Sequence, residues 1–242
     1  MTMLFEAEHS IAESFSSMAA AHHLVVVVVA VLFWIRRRDM ELTVAVYLAV
    51  AFVTATVAMA TLPETRPAAA VSAALALLWF REVARRENVL ALRRTPKSRL
   101  LIAALLGAYA FCYPGYSNEL PPFVASPLGV TLAPTVLLAL ALMNAAAPDT
   151  SRVLHWSLVG VGAAVGVLGL ATDGWVHVPL LLAALYGVPL LLGRATVVEE
   201  RGETDATSVR AVHDRMHKRR VLMSRPRRSA VRKLDVRKRR DD

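Results

Sequence analysis

Five side chains of this sequence are placed where they could do chemistry together. His22 and His23 stand at the head of an apolar run, Glu119 lies in a loop between two others, and Asp173 and His177 flank the last apolar hairpin. Imidazole and carboxylate ligate divalent metals and form acid/base pairs near neutral pH, so two or three of these groups at one face would suffice for either. The alternative is a polar rim where helices meet water, a level at which aromatic residues such as Tyr113 and Tyr116 also gather. His155, near the far end of its own run, is read as interfacial.

A second feature is a break inside an apolar run. Ser126-Pro127-Leu128-Gly129-Val130-Thr131-Leu132-Ala133-Pro134-Thr135 places two prolines, a glycine and three hydroxyls where a helix should continue. Inside a membrane, irregular backbone is tolerated only where protein or a wet cavity satisfies the freed groups. Pro127, Gly129, Thr131, Pro134 and Thr135 therefore mark either a proline-kinked packing helix or a discontinuous helix offering its amides to a ligand. Ser126 has no base in sequence reach and nothing nearby resembles a nucleophile elbow. The single cysteine, Cys112, excludes an intramolecular disulfide and a cysteine-cluster metal site. It is read as a small buried hydrophobe. No cofactor is expected.

Helices must position these groups. The chain has 242 residues, 56% of them hydrophobic, and a mean hydropathy of +0.47 despite a polar last fifth, a balance that points to membrane spans. Residues 1–21 are polar to mildly apolar and lack the basic start and cleavage site of a signal peptide. Apolar runs follow at Met18–Ile35, Leu42–Leu62, Ala68–Phe80, Leu100–Tyr113, Phe123–Ala146, Val153–Thr172 and Trp175–Gly193. The third and fourth are shorter than the roughly 20 residues a span usually needs. The basic stretch Arg81–Arg99 could carry part of the chain along the membrane interface.

Seven spans with the N-terminus outside and the C-terminus inside put 27 of the 28 basic residues on the inner side, leaving only Arg66 outside. The fold class expected is therefore all-α, a polytopic helix bundle. Its domains are residues 1–193 and a basic cytoplasmic tail, 194–242. The sixth span holds Gly160, Gly162, Gly166 and Gly169. Gly162 and Gly166 form a small-xxx-small pair, suited to close packing against the fifth or seventh span, or to a homo-oligomer or partner-protein contact. The tail has 16 basic and 8 acidic residues. It suits anionic membrane lipid, at about 1 kcal/mol per basic residue near the surface. With no aromatic residue from 194 onward it has no base-stacking platform, and no specific nucleic-acid partner is expected.

From about residue 100 to 193 the chain resembles a family of uncharacterised multi-pass bacterial membrane proteins, a domain-of-unknown-function group. The resemblance rests on Tyr113-Pro114, Pro127, Gly129-Val130-Thr131, Pro134-Thr135, Trp156-Ser157-Leu158-Val159-Gly160 and Asp173. Ala133 and Val136-Leu137 depart from that family's pattern, the first standing where a cysteine precedes the proline. The resemblance implies a fold and no reaction.

The sequence thus leads to a multi-pass protein of the bacterial cytoplasmic membrane, acting as a structural, assembly or small-solute-handling component. A membrane-embedded enzyme acting on a lipid or isoprenoid through the outer His/Glu/Asp set is the second reading. A secondary transporter is the third, disfavoured because no internal repeat is visible and no charge lies deep in a span.

Overall fold

The computed structural model describes residues 2–36, 40–85, 90, 95–114, 126–147, 150–172 and 174–192. The chain divides into two units, Met1–Gly193 and Arg194–Asp242, and the basic tail that forms the second lies outside the described residues. Among the described residues there is no strand. In order come α1 (Thr2–Ser14), α2 (Ser16–Arg36), α3 (Met40–Ala60), α4 (Arg66–Arg85), α5 (Lys97–Phe111), α6 (Leu132–Ala146), α7 (Arg152–Thr172) and α8 (178–192). Short 3-10 turns, Pro63–Thr65 and Gly174–His177, lead into α4 and α8.

The first helix, α1, lies ahead of the first apolar run. Ala7, Ile11 and Ala12 recur at helical spacing and are buried, and α1 packs on the turn Pro63–Thr65. It meets α2 at a bend of 71°. Ser14, Ser16 and Ser17 surround that bend, and serine competes with the helix backbone for hydrogen bonds.

α3 and α4 form the tightest hairpin. Ser72 Oγ donates to the Phe52 carbonyl at 2.9 Å, and Thr65 Oγ1 donates to the Met59 carbonyl, closing the connection. The third apolar run, expected to be short, continues as a helix of 20 residues because Arg81 and Arg85 sit on its exposed side.

At the centre stands α6. Every residue of it is buried except Leu142, which is partly exposed, and α3, α4, α5 and α7 all pack against it. Apolar residues cover it all round, as a helix surrounded by other helices requires. The surrounding helices turn apolar side chains outward instead: Leu24 is 66% exposed, Leu77 70%, Leu101 62% and Val167 56%. Among the described residues four helical stretches are long and apolar enough to cross a membrane, namely Glu41–Ala60, Pro63–Arg85, Arg152–Thr172 and Gly174–Leu192, and the bent pair of α1 and α2 raises the number to five. α5 and α6 have 15 residues each. That is roughly 22 Å of helix, less than the ~30 Å of a hydrocarbon core.

Candidate functional site

The break before α6 is a turn, and α6 starts only after it. Thr131 is extended (φ −116°, ψ 162°) and Leu132 is the first helical residue, so α6 begins after the turn and its N-terminus is buried inside the protein. Val130 N and Thr131 N both donate to the Pro127 carbonyl, at 2.9 and 3.0 Å, which closes the turn on itself. Ser126 Oγ donates to the Ala110 carbonyl at 2.9 Å and ties the turn to the end of α5. Pro134 occupies the third helical position, where its missing N–H costs no internal bond. Thr135 does the remaining work: its hydroxyl accepts from Gly129 N at 3.0 Å and donates to the Thr131 carbonyl at 2.7 Å.

Gly129 is where two elements meet the turn. Its φ is +74°, in the left-handed region that glycine enters without steric cost. The space a Cβ would take is filled by the His22 ring, 2.5 Å away at Cδ2. Thr54 Oγ1 stands 2.7 Å from the Gly129 carbonyl and 2.8 Å from His22 Nε2. A hydroxyl has one proton. With that proton on the shorter contact, to Gly129 O, the imidazole donates from Nε2. Thr54 thus joins α2, α3 and the turn at one atom. Nothing in the sequence singles out Thr54, one threonine among several in an apolar run.

His23, one residue on, points elsewhere because successive helical residues differ by about 100°. It packs on the Phe111 ring at 4.3 Å between centroids. His177 lies further along the same end. Its Nδ1 is 2.8 Å from the Tyr113 hydroxyl, and Tyr109 donates to the Val176 carbonyl at 3.0 Å. The His177 ring fills the place where Gly169 would carry a Cβ, so that glycine of α7 gives the histidine its site. The three described histidines of the expected rim, His22, His23 and His177, are each 5–7% exposed and have separate neighbours. Glu119 and Asp173 lie outside the described residues. Among the described residues no three His, Cys, Asp or Glu side chains are grouped to hold a metal.

Beside the N-terminus of α6 is a cavity of about 380 Å³, between α4 and α7. Val71, Val161, Val165 and Leu168 form apolar walls, and Leu132 and Ala133, the first residues of α6, lie at its base. Glu8, Glu64, Thr172 and His177 supply its polar groups. An apolar chamber of this size with a few convergent polar groups is the usual form of a small-molecule site. Glu8 and Glu64 were missed by the sequence reading because they come from the N-terminal helix and a turn that only folding brings beside α7.

Glycine contacts join α7 to its neighbours. A Cβ on Gly162 would stand 2.6 Å from Leu140 Cδ1 of α6, and one on Gly166 3.1 Å from the Leu181 backbone of α8. His155 is fully buried among the helices, with Nε2 2.8 Å from Asn144 Oδ1. Asn144 Nδ2 in turn donates to the Ala183 carbonyl at 2.8 Å. Gly187 makes room for this pair, since a Cβ there would be 2.9 Å from Asn144 Oδ1. Cys112 is exposed at the end of α5 rather than buried, because the helix stops at Phe111 and the cysteine begins the next turn. Neither a family model nor any curated protein or solved structure matches this chain.

Proposed function

We propose that this protein is a multi-pass integral membrane protein that holds a small, largely apolar solute in the cavity beside the broken helix. The bilayer reading takes support from the apolar outer faces of the helices and from the four to five stretches long enough to cross. Seven spans, N-terminus outside and C-terminus inside, complete the proposal, with the bacterial cytoplasmic membrane as its location. α6, too short alone, completes its crossing with irregular backbone. This is the buried turn 126–131, tolerable because protein satisfies its polar groups. The resemblance of residues 100–193 to uncharacterised bacterial membrane proteins belongs to the same proposal.

The observation that carries the solute reading is the cavity itself: apolar along α4 and α7, polar where Glu64, Thr172 and His177 meet. Its occupant is an amphiphile with an apolar body and a small hydrogen-bonding head. The test is purification of the full chain in native lipid, followed by identification of co-purifying small molecules. Val165→Phe fills the chamber, and its preparation should lose the bound solute while keeping its melting profile. Equal recovery from both proteins would end the proposal.

One observation favours an enzyme as the second reading. The Tyr113–His177 pair touches the cavity through His177, an arrangement able to move a proton at the polar head of a lipid or isoprenoid. Under that reading His177→Gln retains the solute and abolishes its turnover. Loss of the solute itself would assign His177 to binding alone.

A further inference from the structure

On another face of the unit, α2 and α5 stand on either side of a groove of about 520 Å³, floored by α3 and α6. It shares no lining residue with the cavity at His177. Its wall on α5 is Leu100, Ala103, Ala104, Gly107, Ala108 and Phe111, a repeat of three and four residues that keeps to one face of the helix. Over those residues α5 rises roughly 17 Å. Small residues dominate this wall, and at Gly107 a Cβ would make ordinary contact with Leu138 Cδ1 of the floor, at 3.7 Å.

Charge lies at one end of this groove. Lys97 precedes Leu100 by one turn, on the same face of α5, and is exposed. Arg99 Nη1 donates to the Ala147 carbonyl at 2.7 Å, two residues beyond Ala145 in the groove. Glu41, one turn before Val44 of the groove, is engaged in an interaction of its own. At the other end Phe111 closes against the His23 ring. Among the described residues no charged one lines the channel between. Tyr47 lines it, is 8% exposed, and its hydroxyl has no partner among the described residues.

We propose that the groove binds one acyl chain of an anionic phospholipid, with its phosphate held at Lys97 and Arg99. An apolar channel with cations beyond one end matches such a lipid at both ends: the chain leaves water and the phosphate gains cations. Lysine also suits the mouth because its long stem follows an apolar wall while its ammonium stays in water. The inference rests on the membrane reading of the protein and not on the cavity at His177.

The test uses full-length protein extracted from membranes and carried through a high-salt wash, which strips lipid held only by the charges of the basic tail. Native mass spectrometry then counts retained phosphatidylglycerol against phosphatidylcholine supplied in equal amounts. One retained phosphatidylglycerol per chain is expected. Ala104→Phe should lower retention more than tenfold by filling the groove. Lys97→Glu, on an exposed site that leaves the packing untouched, should keep a lipid bound but cut the preference for phosphatidylglycerol about fivefold or more. Unchanged retention in Ala104→Phe, or unchanged preference in Lys97→Glu, overturns the proposal. A dimer that Ala104→Phe dissociates would overturn it in favour of a second copy as occupant. Recovery of the protein outside the membrane fraction would instead defeat the membrane reading on which it rests.

Discussion

Gly129 carries two constraints at once. Its backbone is left-handed and its missing Cβ is where the His22 ring lies. Either constraint alone disfavours a side chain, so Gly129→Ala should cost about 2 kcal/mol or more, combining left-handed strain with overpacking. Thermal unfolding in detergent measures this, and a change below half that size would show that His22 moves aside freely. Residue types in the sequence drew attention to Gly129 and to His22 separately. Their contact was invisible there, because 107 positions separate them and no periodicity links a turn to a distant helix face. Thr54 was less visible still: a hydroxyl in an apolar run usually bonds its own helix carbonyls, and this one lies 3.0 and 3.2 Å from two of them yet gives its one proton to the nearer Gly129 O.

At the scale of elements, α6 shows what the two prolines do and do not do. Pro134 sits in the first turn, so Pro134→Ala should shift stability by no more than about 1 kcal/mol. Thr135 is the residue that satisfies the turn, and Thr135→Val should cost about 1–3 kcal/mol by leaving Gly129 N–H unpaired. A reversed order in denaturation measurements would show that the prolines, not the hydroxyl, maintain the break. The meeting of α6, α7 and α8 turns on Gly187. Adding a methyl there presses on Asn144 Oδ1 and on Val159 Cγ2, at 2.9 and 2.7 Å. Gly187→Ala should therefore cost about 1–3 kcal/mol, whereas Gly160→Ala, with open space around it, should be close to neutral. Sequence spacing pointed to Gly162 and Gly166. It gave no reason to choose Gly169 or Gly187, because what distinguishes them is a histidine or an asparagine arriving from another helix.

For the whole molecule, orientation is the property most open to a direct check. Cys112 is the sole cysteine and is exposed at the end of α5. With the N-terminus outside, that end faces out, so a membrane-impermeant maleimide should label intact cells at Cys112. Labelling only after the cells are opened would reverse the orientation. The all-helical class and apolar runs long enough for helices were legible in the chain, because they depend on local composition and on the cost of leaving backbone unbonded in lipid. So was the position of the break, since proline and glycine act on their own backbone. Tertiary structure alone decided that the break is a closed turn, that α6 is enclosed on all sides, and that Glu8 and Glu64 stand beside His177 at one cavity. Those outcomes depend on which helix faces meet, and in a chain whose helices are apolar nearly all round, hydropathy marks no face for any of them to choose. Small residues and a few hydroxyls make that choice, and their effect exists only once the helices are packed.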